Sequence, residues 1–283
     1  INAGEQLVKY GQIIGFAKAD IESGDWVHTH NVELREIDRN YRFCDEITEL
    51  PALDGDEDTF LGFARPGGRA GTRNYIGVIS SVNCSASVAR YVADHFRTSD
   101  FKGDFADVDG VVAFTHKGGC SYDPNHGHEV LQRVIAGMAR HPNIGGYVLV
   151  GLGCEVNQVP GLVEKYRLDQ LQEGEQMPAF LTIQQTGGVR KTVESAVKAV
   201  EKMLPGVNAQ RRTAQPVSKL AMAMNCGGSD ANSGISANPA LGVASDELVR
   251  QGAASVFGET TEIYGAEHLL TRRAVTREVG EKL

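Results

Sequence analysis

The apolar runs between residues 111 and 161 constrain this chain most. Residues 111–115 and 147–152 are short and apolar, and each run stops at a small-residue turn carrying a cysteine, Cys120 in one and Cys154 in the other. A helical pattern separates them. The same grammar recurs in V-I-S-S-V-N-C, ending at Cys84, and in L-A-M-A-M-N-C-G-G-S-D, which carries Cys226. Short continuous apolar runs alternating with amphipathic helices are the sequence form of βαβ units, whose strands lie parallel with helices covering both faces. The carboxyl ends of such strands gather at the edge where open α/β sheets bind ligands. An α/β domain with a parallel, doubly wound sheet is therefore expected over 59–207, with strands at 75–82, 111–115, 147–152 and 180–183.

The intervening helices are expected at 85–96, 128–140 and 189–204. Apolar residues at helical spacing predict buried faces of Val88, Tyr91, Val92 and Phe96 in the first. The second has Val130, Leu131, Val134, Ile135 and Met138, and the third Val193, Ala196, Val197 and Val200. Pro205-Gly206 is expected to stop the last of these. Residues 1–37 differ: short runs broken by A-G-E and S-G-D turns read as a small β module. His28 and His30, two apart, would share a strand face, either as solvated imidazoles or as half of a metal or anion site. Residues 38–58 are polar and acidic and read as a linker, in which Cys44 has no motif around it. Residues 208–218 read as a second linker, and 219–283 as the start of a further α/β domain. The first residue is not methionine and the last lies within a charged helical pattern, so the chain is expected to be part of a longer polypeptide.

Composition narrows the function classes. Of 283 residues, 41% are hydrophobic and 23% charged, and the net charge is −8 with no Lys/Arg block, which argues against a nucleic-acid partner. No apolar run approaches the ~20 residues of a membrane span, and no signal peptide is visible. Five cysteines, an odd number without scaffold spacing, point to a reducing cytoplasm and to thiols used in chemistry or packing.

Cys84, Cys120 and Cys154 all follow strands expected in one sheet, so they can converge if those strands are neighbours. With His116 as imidazole and Glu155 as carboxylate, the set suits iron or zinc better than magnesium or calcium. The plainer reading is that the cysteines pack as small apolar groups. Gly151-Leu-Gly153-Cys-Glu-Val156 lacks the third glycine of a dinucleotide fingerprint, which weakens an NAD-dependent oxidoreductase reading. Cys226-Gly227-Gly228-Ser229-Asp230, followed by Asn232, Ser233 and Asn238, offers backbone N–H groups for an anion and polar side chains for hydroxyls. That inventory suits a polyhydroxylated acid; the alternative is a connecting loop. Glu259, Glu262 and Glu267, with Tyr264 and His268, follow the last strand as acid or base candidates.

The strings G-T-R-N-Y-I-G-V, G-L-G-C-E-V-N-Q, C-G-G-S-D-A-N-S-G-I-S-A-N-P-A-L-G and E-I-Y-G-A-E-H-L-L resemble the altronate/galactarate dehydratase family over nearly the whole chain. The resemblance implies a β-clip module of the SAF type at 1–37, incomplete at its start, followed by Rossmann-like α/β domains. V-H-T-H-N at 27–31 is similar to the altronate branch. The implied activity is iron(II)-dependent dehydration of a sugar acid to a 2-keto-3-deoxy acid, with an iron–sulfur cluster as the second possibility for the cofactor. On this basis Cys84, His116, Cys120 and Cys154 are the expected metal ligands and His116, Glu155 and Glu259 the expected catalytic groups. Arg73, Asn74, Gly227, Gly228, Ser229, Asp230 and Asn238 are expected to bind substrate, and a homo-oligomer is expected. A sugar-acid-binding protein without catalysis is the non-enzymatic alternative.

Overall fold

The computed structural model describes residues 1–283 except 38, 50, 52, 54, 56, 122, 124, 172–176, 226 and 229–231. Two compact units form: one from Ile1–Asp54 together with Ala221–Leu283, the other from Gly55–Leu220.

In the first unit, β1 (Gln6–Lys9) and β2 (Gln12–Ala17) pair antiparallel, and β3 (Val32–Glu33) adds to β2. The β1–β2 turn places Tyr10 and Gly11 at φ 50° and 76°, the two consecutive positive values of a tight hairpin matched to strand twist. Leu7, Ala17 and Ile21 are buried, with Val32 packed on them. His28 and His30 stand in a turn rather than on a strand. Both rings lie against Trp26, with centroids at 4.7 and 5.3 Å.

The second unit opens with β4 (Thr59–Ala64) and β5 (Ala70–Gly71), an antiparallel pair. β6 (Tyr75–Ser80), α1 (Ala86–Thr98), β7 (Gly110–Phe114), α2 (His126–Ala139), β8 (Ile144–Gly151), α3 (Val159–Tyr166), β9 (Ala179–Thr182), α4 (Ile183–Thr186) and α5 (Val189–Asn208) follow. The sheet order is β7-β6-β8-β9 and every pairing is parallel. This is the doubly wound α/β sheet that the alternation implies. β8 is buried along its full length, as a strand covered on both faces must be. Alternation sends Val148 and Val150 to a core with Val88, Val92, Ala196 and Val200, under α1 and α5. It sends Tyr147 and Leu149 to the opposite core with Ile135 and Leu162, under α2 and α3.

Several details differ from expectation. Tyr91, Val130 and Val134 are exposed: the buried stripe of α2 is His128, Ile135, Ala136 and Ala139, rotated toward smaller residues that let the helix approach the sheet. α5 runs through Pro205 to Asn208, because Val207 is wholly buried and Asn208 Oδ1 accepts from the Asp107 N–H at 2.9 Å. Burial of the last turn outweighs one missing helix hydrogen bond. Residues 208–218, expected as a linker, carry β10 (Arg212–Pro216), which pairs antiparallel with β4.

The chain then returns to the first unit with β11 (Ala221–Met224), α6 (Ala237–Arg250), β12 (Ala254–Phe257), α7 (Glu267–Thr271) and α8 (Arg277–Glu281). β11 and β12 pair parallel. The stretch expected as the first linker, 38–58, contributes to this unit: Cys44 and Glu46 donate backbone N–H bonds to the carbonyls of Thr271 and Arg272 at 3.2 and 3.0 Å.

Candidate functional site

In the second unit, the chain leaves β6 toward β7 on one side and leaves β8 toward β9 on the other. The crevice between the carboxyl ends of β6 and β8 is thus the topological switch point, where open α/β sheets receive ligands. Here it is filled by Glu155, which is 1% exposed. Its carboxylate accepts from Ser81 Oγ at 2.8 Å, from the Leu152 N–H at 3.0 Å and from the Gly153 N–H at 2.6 Å. Asn157, also buried, donates to the Ser81 carbonyl at 3.0 Å and accepts from Gln132 at 3.2 Å. The turns after all four strands are joined by backbone bonds: Asn83 N–H to Gly118 O, Val156 N–H to Cys120 O and Gln184 N–H to Leu152 O. The anion pocket that a dinucleotide pyrophosphate would need is occupied by the protein's own carboxylate, which argues against the nicotinamide reading.

Cys84, Cys120 and Cys154 follow β6, β7 and β8, adjacent strands of one parallel sheet. Their thiols are placed differently: Cys84 and Cys154 are exposed and Cys120 is half-buried. Cys154 Sγ accepts from Gln184 Nε2 at 3.2 Å. His116 Nδ1 accepts from the Gly118 N–H at 3.0 Å. The neutral ring therefore carries its proton on Nε2, which is buried with no well-aligned hydrogen-bond partner among the described residues. Burial lowers the His116 pKa, with the Ser81 and Ser80 backbone acting in the opposite sense. The ring borders an apolar cleft of about 240 Å³ lined by Ile79, Ala113, Phe114, Leu131 and Met138, a poor match to a polyhydroxylated ligand.

These positions test the implied iron. Among the described residues, no group of three or more His, Cys, Asp and Glu side chains stands close enough to hold a metal ion. A protonated Nε2 offers no lone pair, and the Glu155 oxygens already hold three donors. As placed, Cys84, His116, Cys120 and Cys154 do not fit a metal centre, and no chemical step below runs through iron.

Arg73 and Asn74 precede β6 and so lie at the amino-terminal edge of the sheet, opposite the switch point. Asn74 is wholly buried. It donates to the carbonyls of Asp107 and Val207 at 3.0 and 2.9 Å and accepts from the buried Arg65 guanidinium at 2.9 Å. Arg65 also donates to the Pro142 and Arg73 carbonyls and to Gln210. The placement makes Asn74 a structural bracket, and exposed Arg73 pairs with Asp109 at 3.5 Å.

The first unit holds a second strand-end site. A cavity of about 520 Å³ opens at the carboxyl ends of β11 and β12, within the size range of small-molecule sites. Its polar wall includes Asn225, Asn238, Asp246, Glu259, Glu262 and Arg273; Met224, Leu241, Phe257 and Ile263 form the apolar wall. Two of the expected site residues, Asn238 and Glu259, thus share one pocket. With its amide nitrogen turned toward Glu259, Asn225 donates to both carboxylate oxygens at 2.8 and 3.3 Å. Glu259 sits at φ 55°, a left-handed conformation that costs a non-glycine residue roughly 1–3 kcal/mol and clusters at functional sites. The Gly258 N–H donates to the Met224 carbonyl at 2.7 Å, tying the Glu259 turn to the end of β11. Gly227 and Gly228 are exposed in irregular backbone, whereas Cys226, Ser229 and Asp230 lie outside the described residues. Asn225 and Arg273 were not singled out in the sequence. Asn225 was legible as the residue ending an apolar run, but Arg273 lies in a charged stretch with no motif.

The chain matches three family models in succession. They are the altronate/galactarate dehydratase SAF domain at residues 1–35, the D-galactarate dehydratase/altronate hydrolase second domain at 62–208 and the D-galactarate/altronate dehydratase C-terminal domain at 217–283. It is 34% identical over 284 residues to an altronate dehydratase of Bacillus subtilis (strain 168) and 33% identical over 290 residues to an altronate dehydratase of Escherichia coli (strain K12). To a galactarate dehydratase (L-threo-forming) of Escherichia coli (strain K12) it is 37% identical over 298 residues. Each match covers the whole of this chain and 55% of the relative, so the chain spans about half the length of the curated relatives it matches. With an SAF-type module, a doubly wound second domain and a C-terminal α/β segment in this order, the chain belongs to the D-galactarate/altronate dehydratase family.

Proposed function

We propose that this chain serves a hydro-lyase that removes water from a sugar acid, an aldonate of the altronate type, to give a 2-keto-3-deoxy acid. The observation that carries the reading is Glu259, held by Asn225 on the polar wall of a pocket that also contains Asn238. Dehydration requires a base to take the proton at C2, next to the substrate carboxylate. Glu259 is suited to that role because Asn225 orients it and its turn aims it into the pocket. As the C2 proton leaves, the C3–O bond breaks, the hydroxyl departs as water with a proton returned to it, and the resulting enol becomes the 2-keto acid. Negative charge gathers at the substrate carboxylate during this step and needs fixed donors nearby. Asn238 supplies an amide for substrate hydroxyls. The family membership supports the reaction class, and V-H-T-H-N supports the altronate branch.

The test is to incubate the purified protein with a panel of aldonates and aldarates in heavy water without nicotinamide. The expected product is a 2-keto-3-deoxy acid deuterated at C3, seen by NMR. Release of product only when NAD is supplied, or tight binding with no turnover of any acid, would reject the reading. The implied iron is tested separately by anaerobic metal analysis of Cys120→Ser. Iron and turnover falling together would assign a ligand to this thiol, and unchanged iron would leave Cys120 a packing residue.

A further inference from the structure

Arg273 follows α7, its exposed side chain lining the pocket that holds Glu259. Asp246, Glu259 and Glu262 line the same pocket, yet among the described residues no carboxylate pairs with Arg273. Its neighbour Arg272 is paired, with Glu46 at 3.3 Å, and Glu259 takes the Asn225 amide instead. A cation left without a partner beside three carboxylates is poised for an anion from outside.

We propose that Arg273 receives the substrate carboxylate and that the charge of the pocket selects acids carrying only one carboxylate. This rests on the dehydratase reading and adds a residue and a selectivity to it. The guanidinium presents paired N–H donors that match a carboxylate fork. Docking the carboxylate there leaves C2, the next carbon, within the same pocket as Glu259. The far end of a sugar-acid chain then meets the rest of the polar wall, where the other described charges are those of Asp246 and Glu262. A hydroxymethyl end is welcome there. A second carboxylate meets like charge with no second cation among the described lining residues, a mismatch of the kind that produces specificity by rejection.

The experiment uses the purified full-length protein, with initial-rate kinetics and calorimetric binding for altronate (one carboxylate), galactarate (two) and galactitol (none). Altronate is expected to be favoured over galactarate by about tenfold or more in kcat/KM, the size of effect like-charge contacts produce. Arg273→Gln is expected to weaken altronate binding by roughly 10- to 100-fold, the range for losing a hydrogen bond between charged groups, and to leave galactitol binding unchanged. Arg273→Lys, which keeps the charge and loses the fork, should fall between. Glu262→Gln should narrow the altronate-to-galactarate ratio. Turnover of altronate with an unchanged KM in Arg273→Gln, or equal use of both acids by the native protein, overturns the inference while leaving the dehydratase reading intact. Arg273-dependent binding of altronate without turnover rejects the dehydratase reading and retains the carboxylate site.

Discussion

The carboxylate of Glu155 stands where a side chain on Gly151 would have to go. A Cβ at Gly151 would meet Glu155 Oε1 at 2.5 Å, Val159 Cγ2 at 2.7 Å and Ser81 Oγ at 3.0 Å. The last residue of β8 is bare so that a charged group can fold back over the strand end and collect its three donors. Gly151→Ala is therefore expected to lower stability by about 1–3 kcal/mol, the usual cost of overpacking a filled site, and more if the carboxylate is forced off its donors. Urea denaturation measures this, and a midpoint equal to that of the native protein would show that the turn has slack.

Glu259→Gln keeps the shape of the pocket and removes the proposed base. Turnover should fall by roughly 10²–10⁴-fold, the contribution of a positioned general base, with KM changed little. Asn225→Ala should cost less, since the carboxylate remains and loses only its orienting amide. A Glu259→Gln variant with native turnover would assign the base to another group.

Asn74 and Arg73 separate a structural role from a binding role. Asn74→Ala removes the side-chain donor of the half-buried Asp107 carbonyl and one acceptor of the buried Arg65 guanidinium, while the Val207 carbonyl keeps the Gln210 N–H, which predicts a loss of about 1–3 kcal/mol with no change in KM. Arg73→Ala removes an exposed pair with Asp109 and should cost under ~1 kcal/mol. A large KM effect of Arg73→Ala, with stability unchanged, would restore the substrate contact expected from the sequence.

His141 predicts a pH dependence. Its partly covered ring and the nearby Arg69 guanidinium hold its pKa below the ordinary 6.5, and its Nδ1 accepts from the Asn143 N–H at 3.1 Å. A histidine whose folded pKa is depressed binds fewer protons folded than unfolded. Its contribution is thus fully present above about pH 6.5, the unfolded value, and declines as the pH falls toward the folded pKa. Denaturation midpoints at pH 7.5 and 5.5 should differ less in His141→Gln than in the native protein, and an identical difference in both would exclude this histidine as a cause.

Much of the fold was legible because hydrophobic periodicity reports burial, and the parallel sheet buries its two central strands, β6 and β8, almost completely. That the strands before Cys84, Cys120 and Cys154 share one parallel sheet followed from that pattern; their adjacency is a finding of the structure. β10 was not legible, since R-T-A-Q-P lies on a half-exposed sheet and Arg212 holds it there by donating to the Leu61 and Thr72 carbonyls while stacking on Phe63. The site was harder. Sequence patterns place Cys, His and Glu at a strand end but do not show whether their atoms face outward or are already spent on neighbouring donors, as in Glu155 and His116. Asn74 illustrates the same limit at the other edge: a polar residue beside a basic loop reads as a ligand contact until its partners Asp107, Val207 and Arg65 are seen.

The first compact unit is assembled from Ile1–Asp54 and Ala221–Leu283, the segments on either side of the inserted Gly55–Leu220 unit. During synthesis the β1–β3 module emerges before the inserted unit, yet the strands and helices that join it in its own unit, β11 to α8, are translated after that unit. The inserted unit has all its own partners in hand much earlier, and its closure brings the flanking segments nearer together, reducing the entropy of the final loop closure. Assembly should therefore run from the inserted unit to the segments that flank it. A change that delays the α/β sheet, such as a fault at Gly151, will also delay the pocket around Glu259, although no residue of that pocket has been altered.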